Sequence, residues 1–458
     1  LAAAGNPTTA STEFTDWAVA SYLGTISYNF DNRYVVNGTY RREGNSRFAS
    51  ENRWGDFWSL GAAWNLHRED FLADSDFVNN LKLRASYGKT GNANIDINQY
   101  QVLFNYDQDY AGTGAAYPPQ YGNADLTWET SYTFDAGVEF GLWQNRLTGS
   151  LAYYRRESND LLLDVPLSMT TGFSSQFINV GKMENKGFEA ELSFDVVRSD
   201  DFNLTIGGNV ATVANEVLEV GTNADGVEVP VTNVDAPSGT QRSAAGTMVN
   251  EWFMPTWAGV DPETGVDTWY TDASRSETTT SFGQAERVYQ GTSALPTLTG
   301  GLNFHVDFKG FFLDASGYYA GGHQVYESWH LYLNQTNIYT TAIYNGYDSL
   351  MDRWQQPGDQ TRVTKPIFGG EPWRYNSKFL HEGDFFRLRN VTFGYDFKPS
   401  ILETIGLSSA RLFVRGTNLY TWVKDDNLLH DPEIDATGFT SITTPPVKSV
   451  VVGVNLKL

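Results

Sequence analysis

The sequence predicts an all-β fold, a transmembrane antiparallel β-barrel, and three observations support this prediction. Apolar and polar residues alternate strictly over segments of about ten residues, the length that a tilted strand needs to cross a bilayer. The connections between these segments are alternately short and long, as in barrels with short turns at one rim and long loops at the other. The 458-residue chain contains no run of about eighteen apolar residues, so no transmembrane helix is predicted.

The composition agrees with a barrel. Mean hydropathy is −0.38, because each lipid-facing residue of a barrel strand is followed by a polar residue facing the lumen. Aromatic residues make up 14% of the chain, enough to supply girdles at both membrane interfaces. There is no cysteine, so neither a disulfide nor a structural Cys–zinc site is expected. A formal net charge of −22 argues against a nucleic-acid partner and favours cations or neutral polar solutes.

The clearest alternation lies in Thr130–Phe140 and in the segment that follows it. Every second residue from Tyr132 to Phe140 is apolar or aromatic, and the residues between them are mostly polar. A tight turn around Asn145 follows, and Leu147–Tyr153 repeats the pattern on the way back. Such alternation predicts two antiparallel strands that share one lipid-facing surface.

About thirteen such segments recur along the chain. Their apolar faces lie within Tyr22–Phe30, Tyr34–Tyr40, Trp58–Leu66, Leu81–Tyr87, Tyr132–Phe140, Leu147–Tyr153, Phe188–Phe194, Leu204–Val210, Leu302–Phe308, Phe311–Gly317, Phe385–Phe397, Arg411–Trp422 and Val450–Leu458. Short connections are predicted near residues 31–33, 67–79, 143–146, 197–202, 309–310 and 398–409. Long connections are predicted near 91–128, 158–183, 215–296, 324–383 and 423–445, with a shorter loop at 47–55.

The odd number of segments indicates an incomplete wall. Single-chain bacterial barrels close with an even number of strands, and an open edge in lipid leaves backbone groups unpaired at several kcal/mol each. Residue 1 is Leu, and no charged segment followed by an apolar stretch begins the sequence. We therefore expect this chain to be the C-terminal part of a longer protein.

Six sequence blocks, in order, carry a family resemblance. They are GTYRREGNSRFASENRWGDFW at 38–58, AAWNLHREDFL at 62–72, LKLRASYGKTGN at 81–92, NKGFEAEL at 185–192, FFRLRNVTFGYDF at 385–397, and ARLFVRGTNLYTW at 410–422 with DPEI at 431–434. Together they resemble the SusC/RagA-like class of TonB-dependent outer-membrane transporters of Bacteroidetes.

The resemblance implies a barrel of about 22 strands in the cell outer membrane, with an N-terminal plug domain and a TonB box. Residues 1–458 would be the C-terminal portion of that barrel, strands ten to twenty-two, with the plug and the TonB box outside this chain. The implied partners are the remaining strands and plug, TonB, outer-membrane lipid and a SusD-like surface lipoprotein. No cofactor and no metal site is predicted.

No catalytic motif is present, and we expect no enzyme activity. Six His without any Cys exclude a Cys–His nucleophile pair, and HExxH, GxSxG and P-loop sequences are absent. The charged group His67–Asp70 is predicted to be a solvated strand end at the short-turn rim. His305 alternates with Asn303 and Asp307 and is predicted to face a wet lumen rather than to bind a ligand.

The segment Asp261–Asp267 reads DPETGVD and leaves two interpretations open. Carboxylates at odd spacing suit calcium, but the twelve-residue loop pattern of calcium sites is lacking. Pro-Glu-Thr-Gly is also an ordinary turn sequence. Similar turns occur in the resembled family, which favours the structural interpretation.

The long loops contain the predicted functional residues. Flat aromatic faces stack on sugars or peptide side chains, and neighbouring amides such as Gln355 and Gln356 add directional hydrogen bonds. Alternatively, the same rings pack the loops together or belong to the outer aromatic girdle. The aromatic residues predicted to contact solute or a lid protein are Trp252, Trp257, Trp329, Tyr332, Trp354, Trp373 and Tyr375.

The leading functional hypothesis is TonB-dependent import of polar oligomers, either oligosaccharides or oligopeptides, beneath a SusD-like lid. A siderophore or cobalamin receptor, with a compact ligand and no lid, is an alternative on the same fold. A structural or accessory subunit of a secretion or adhesion assembly is another class, in which the long acidic loops would be docking surfaces. A soluble all-β protein is a fourth hypothesis, and loop asymmetry and strand length argue against it.

Overall fold

The computed structural model describes residues 14–222, 226–333, 336, 345–366, 374–398, 402, 406–440 and 444–458. Helical structure in these residues is limited to short segments. They are α1 (His330–Leu333) and the 3-10 turns Leu66–Arg68, Met169–Thr171, Pro237–Gly239, Phe282–Gln284, Asp348–Asp352 and Ser377–Phe379. None of the helices in the described ranges has the length and apolar character needed to cross a membrane.

Antiparallel strands make up the rest of the ordered structure. The strands of the first half are β1 (Val19–Phe30), β2 (Tyr34–Asn45), β3 (Trp54–Asn65), β4 (Val78–Asn92), β5 (Asn105–Tyr110), β6 (Thr113–Tyr117), β7 (Glu129–Leu142), β8 (Leu147–Asn159), β9 (Leu162–Pro166), β10 (Ser175–Asn179), β11 (Lys182–Arg198), β12 (Phe202–Thr212) and β13 (Ala214–Glu219). Those of the second half are β14 (Val231–Thr232), β15 (Gln241–Ser243), β16 (Glu251–Pro255), β17 (Trp257–Val260), β18 (Asp267–Tyr270), β19 (Thr278–Thr279), β20 (Arg287–Ser293), β21 (Leu298–Phe308), β22 (Phe311–Gly321), β23 (Gln324–Tyr326), β24 (Leu380–Glu382), β25 (Phe385–Asp396), β26 (Ser409–Val423) and β27 (Ser449–Lys457).

One large sheet forms the wall. Its strand order is β1-β2-β3-β4-β7-β8-β11-β12-β21-β22-β25-β26-β27, with β13 pairing β11 beside this path. Each predicted segment is a strand of the wall, and the prediction of an all-β antiparallel fold is confirmed. Within the described residues β1 and β27 have no second neighbour, so the wall has two open edges.

The register places the apolar residues of neighbouring strands on one face of the wall. Phe304 of β21 lies between Ile206 of β12 and Ala315 of β22, and the same correspondence continues from strand to strand. This face is uncovered, since Leu302 is 55% and Val452 is 69% exposed. A continuous exposed apolar surface of this size requires a non-aqueous neighbour, which in a barrel wall is lipid.

The opposite face carries ion pairs and hydrogen-bonding side chains. Lys82 Nζ lies 3.2 Å from a carboxylate oxygen of Glu139 on the adjacent wall strand β7. His305 Nδ1 lies 2.6 Å from Asp314 Oδ1, and its Nε2 lies 2.7 Å from Asp307 Oδ2. His305 therefore faces the polar side of the wall, as predicted, and its partners are carboxylates of the wall itself.

The connections between wall strands separate into two rims, as predicted. The short-turn rim contains residues 31–33, 66–77, 143–146, 199–201, 309–310 and 397–408, and the long-loop rim contains 46–53, 93–128, 160–181, 213–297, 322–384 and 424–448. The hairpin at Lys309 and Gly310 has φ of 49° and 94°, the left-handed pair that a type I′ turn needs. Glu69, from the predicted charged group, accepts hydrogen bonds from Tyr34 Oη at 2.7 Å and Trp64 Nε1 at 2.8 Å.

The long loops fold into structures of their own above the wall. The loop 213–297 contains the sheet β14-β15-β16-β20 and the sheet β17-β18-β19, and the loop 322–384 contains the pair β23-β24. A buried cluster joins these loops, and its members are Trp252, Met254, Ala294, Tyr326 and Phe379. This cluster, called the loop core below, positions the candidate functional groups.

Candidate functional site

Trp252 lies at the centre of the loop core. Its side chain has no exposed surface, and its ring centroid lies 6.1 Å from that of Tyr326 and 5.2 Å from that of Phe439. A Cβ added at Gly438 would come within 2.8 Å of the Trp252 ring, so the chain after β26 passes close against it. The Trp252 ring therefore packs three loops together, and its contact with a solute or a lid stays a prediction.

Trp257 is half-buried and is held by charged neighbours. Its Nε1 donates to Asp267 Oδ1 at 2.8 Å, and the same carboxylate oxygen lies 2.9 Å from Lys378 Nζ. The Arg362 guanidinium lies 4.9 Å and the Lys378 ammonium 5.3 Å from the centroid of the Trp257 ring. These cation–π contacts order the ring and place two cations beside it.

Trp354 packs against the turn at Asp261–Asp267. Its Nε1 donates to the carbonyl oxygen of Pro262 at 2.7 Å. Asp261 Oδ2 accepts a 2.6 Å hydrogen bond from Thr264 Oγ1, and this bond is the largest influence holding the pKa of Asp261 below its usual value. Gly265 has φ of 69°, and a Cβ there would lie 2.4 Å from the Trp354 ring. Asp261 therefore caps a turn that supports Trp354.

The remaining predicted aromatic residues differ in how far the structure describes them. Tyr375 is half-buried, with its ring centroid 5.6 Å from that of Tyr326. Trp329 is also half-buried, close to the loop core in sequence. The side chain of Tyr332 and the whole of Trp373 lie outside the described residues. Contact of these four residues with solute or a lid stays a prediction.

Two of the resembled sequence blocks meet at the long-loop rim. Arg387, in the block at 385–397, is almost fully buried and its Nη2 lies 2.5 Å from Asp431 Oδ1. Arg389 pairs in the same way with Glu433. The DPEI segment thus neutralises two arginines of the wall and fixes the loop after β26 to β25.

Glu327 and three histidines form a second group that sequence reasoning missed. Glu327 is completely buried, and its Oε1 accepts from the amides of Leu429 at 3.0 Å and His430 at 2.9 Å, and from His430 Nδ1 at 2.5 Å. Its Oε2 lies 2.9 Å from His330 Nε2 and 3.6 Å from His381 Nε2. The Glu-x-x-His spacing at 327–330 was the sequence signal for this group. It could not be interpreted from the sequence, because His381 is far away along the chain and is brought beside Glu327 only by the fold.

The environment of this group determines its charge. Burial acts to raise the pKa of Glu327, but the imidazoles of His330 and His430 outweigh it and lower that pKa to about 2. Burial lowers the pKa of His381 below its usual value, although Asp425 Oδ2 lies 3.0 Å from His381 Nδ1. At neutral pH the group therefore consists of an ionised Glu327 and a neutral His381.

A cavity of about 680 Å³ opens beside this group. His330 and His381 are among its lining residues, together with uncharged side chains and charged side chains of both signs. These charged side chains are Asp352, Arg353, Asp359, Arg362, Lys378 and Asp426. Such a lining suits a polar solute that carries hydrogen-bond donors and acceptors along its length.

The fold and the polar lumen face correspond to a known family of outer-membrane proteins. The sequence profile described as "TonB dependent receptor-like, beta-barrel" matches residues 2–338. This range is most of the chain, and the chain belongs to that family. It is a β-barrel protein of the outer membrane, whose long-loop rim faces the cell exterior because such barrels have short periplasmic turns and longer extracellular loops.

Individual relatives give the same assignment. TonB-dependent receptor P26 of Formosa agariphila is 28% identical over 97% of this chain and 47% of its own length. TonB-dependent receptor SusC of Bacteroides thetaiotaomicron is 27% identical over 96% of this chain and 44% of its own length. The chain spans about half the length of these curated relatives.

Solved structures agree. The structure of the RagAB peptide transporter superposes with a TM-score of 0.84 at 27% identity, covering 96% of this chain and 48% of that one. The RagAB peptide importer in its open-open state gives a TM-score of 0.86 at 26% identity, covering 96% and 47%. The predicted resemblance to the SusC/RagA-like class is confirmed.

Proposed function

We propose that this chain forms the wall, the lumen face and the extracellular loops of a TonB-dependent importer of polar oligomers. The observation that supports this most directly is the superposition of 96% of the chain on the RagAB peptide transporter with a TM-score of 0.84. The matched relatives are about twice as long as the matched region. We therefore assign the plug domain and the TonB box to parts of the protein outside residues 1–458.

The two edges of the wall support a larger barrel. Strand β1 is exposed along its whole length, and β27 is exposed at nearly every residue. Unpaired backbone groups in lipid cost several kcal/mol each, so both edges require further strands of the same barrel. The barrel would then enclose the polar face that carries His305 and Glu139.

The charge pattern of the loop cavity favours oligopeptides among polar oligomers. Peptides present both charges as well as regularly spaced amides, and the cavity offers Arg353 together with Asp352 and Asp359. Charge-assisted hydrogen bonds to such groups are directional and stronger than neutral ones. Oligosaccharides are the other substrate class, and the two are separated by the uptake experiment below.

A SusD-like surface lipoprotein is the proposed lid. Large apolar side chains of the long loops are exposed beyond the wall, including Val234 at 92%, Tyr106 at 78% and Met351 at 71%. Such side chains would give a lid protein apolar contact area, and the similarity to SusC and to the RagAB transporter is the main support for this partner. Co-purification from outer membranes tests this partner.

The function is tested by uptake in cells. A strain lacking this gene is compared with wild type for uptake of fluorescent oligopeptides and of fluorescent oligosaccharides, with and without a protonophore. We expect loss of oligopeptide uptake in the deletion strain and in energy-depleted wild-type cells. Uptake that survives loss of the protonmotive force would refute TonB coupling, and loss confined to oligosaccharides would refute the peptide assignment.

A matched pair of arginine variants tests whether the cavity contributes to peptide uptake. Arg353→Gln removes a cation from the cavity lining and is expected to reduce peptide uptake. Arg198→Gln changes an arginine that pairs with Asp195 at the short-turn rim and is expected to leave uptake unchanged. Equal effects of the two substitutions on uptake would show that the cavity lining has no specific role in binding the transported solute.

A further inference from the structure

We propose that Glu327, His330 and His381 form a zinc-binding site between the extracellular loops. All three side chains are buried. Among the described residues they are the group of His, Asp and Glu side chains whose potential ligand atoms all lie within 4.8 Å of one another. The site would join the segment after β23, the strand β24 and, through Glu327, the loop that follows β26.

The distances suit a tetrahedral metal ion. Zinc bonds of about 2.0–2.2 Å to nitrogen and oxygen place neighbouring ligand atoms about 3.3 Å apart. Glu327 Oε2 lies 2.9 Å from His330 Nε2 and 3.6 Å from His381 Nε2, so the two separations lie on either side of that value. Two imidazoles with one carboxylate are a zinc ligand set that leaves a fourth position for water.

The three ligand atoms have no partners other than one another. Glu327 Oε2, His330 Nε2 and His381 Nε2 are all buried, and apart from their mutual contacts at 2.9 and 3.6 Å none of them meets a hydrogen-bonding group. The other oxygen of Glu327 is engaged by the backbone and side chain of His430, so only Oε2 faces the two imidazoles. Buried polar atoms without partners cost free energy, and a cation held among these three would satisfy them together.

Asp425 supports the ligand role of His381. Its Oδ2 lies 3.0 Å from His381 Nδ1, and an ionised carboxylate can only accept a hydrogen bond, so Nδ1 carries the proton. The lone pair of His381 then resides on Nε2, which faces Glu327 Oε2. A carboxylate–histidine pair of this kind orients metal-binding imidazoles and raises their basicity.

The cavity of about 680 Å³ supplies a path for the ion. His330 and His381 both line it, so an ion in the cavity is separated from the buried ligand atoms only by the side chains of these two residues. Water in this cavity would occupy the fourth coordination position. Metal binding requires such an entry path in addition to ligands and supporting hydrogen bonds.

Zinc content tests the proposal. The receptor is purified from outer membranes in detergent with a tag free of histidine, stripped with a chelator, equilibrated with zinc chloride and desalted before elemental mass spectrometry. Wild type is expected to hold one more zinc per protein than His330→Ala or His381→Ala. Subtracting the zinc content of the variant from that of the wild type cancels the contribution of zinc that is bound elsewhere in the protein.

Two further variants make the test decisive. Asp425→Asn keeps all three ligands and is expected to weaken zinc affinity about 10–100-fold, so it applies even where an alanine variant fails to fold. His67→Ala, at the short-turn rim, is expected to retain the wild-type zinc content. Equal zinc content in wild type and the ligand variants, or unchanged affinity in Asp425→Asn, would overturn the proposal. Neither result depends on uptake, so the proposed import function is tested separately.

Discussion

The assignment of one wall face to lipid predicts opposite effects of arginine at two adjacent positions. Leu302 lies on the apolar face of β21, opposite Gly208 and Gly317, whereas Asn303 lies on the polar face. We expect Leu302→Arg to destabilise the folded barrel strongly and Asn303→Arg to have little effect. The two variants share a strand, a depth in the membrane and an introduced side chain, so they differ chiefly in the face that receives the charge.

The position of Leu302 within its strand sets the expected magnitude. Strand β21 has 11 residues, and at about 3.4 Å per residue and a tilt of about 40° it spans roughly 26 Å of membrane thickness. Leu302 lies about 10 Å below the long-loop end of the strand and about 16 Å above the other end, close to the bilayer midplane. Arginine at that depth costs about 2–4 kcal/mol, a change of roughly 30- to 700-fold in the folding equilibrium.

Equilibrium unfolding in urea measures this difference. The purified protein is refolded into phospholipid vesicles, and tryptophan fluorescence is followed as urea is increased. Leu302→Arg should shift the transition to lower urea by the amount equivalent to 2–4 kcal/mol, whereas Asn303→Arg should stay near wild type. Equal destabilisation by the two substitutions, or a larger effect at Asn303, would refute the assignment of faces.

Three further predictions concern the long loops. Trp252→Ala removes the fully buried centre of the loop core, and we expect a loss of about 3–5 kcal/mol in local stability, measured by hydrogen exchange of the loops. Asp267→Asn leaves the buried Lys378 ammonium without its partner, and because Asp267 is partly exposed the cost should fall at the low end of about 3–5 kcal/mol, read by limited proteolysis. Burial lowers the pKa of His323 despite the nearby Asp384, so its stability contribution is fully present above about pH 6.5 and is lost as the pH falls below it. Thermal melts between about pH 7.5 and 5.5 should show less pH dependence in His323→Gln than in wild type.

The wall was predictable because its signal is local. Successive side chains of a strand point alternately to the two faces of the sheet. The alternation around Phe304 therefore reveals the face on which its side chain lies without knowledge of the partner strands. Loop lengths then assigned the two rims. Each of the predicted wall segments is a strand in the structure, in the predicted order.

Irregularities within the wall strands were harder to predict from the sequence. The register shifts between Asp195 and Val197 of β11 opposite β12, and between Leu388 and Asn390 of β25 opposite β22, so that one extra residue interrupts the alternation at each place. A bulge of this kind depends on the pairing with the neighbouring strand, which a single segment does not reveal. The pairing of Arg387 with the distant Asp431 was equally hidden, although both residues lie in sequence blocks that carry the family resemblance.

The candidate site was only partly predicted. Loop aromatic residues were identified by type, but their type does not distinguish a ring that packs a core from one that faces a cavity. Trp252 belongs to the first kind, and Trp257 is held between Asp267 and two cations. Burial, which decides between these roles, is a property of the assembled loops.

The sequence by itself determined the membrane barrel, its two rims and its family, because period-two alternation and loop length are features of short segments. Tertiary structure alone decided that Glu327, His330 and His381 come together. Glu327 and His381 are separated by a long loop, and their approach depends on the packing of several loops around Trp252 and Tyr326. Contacts between distant segments require the ordering of the whole loop assembly, and no local pattern encodes that ordering.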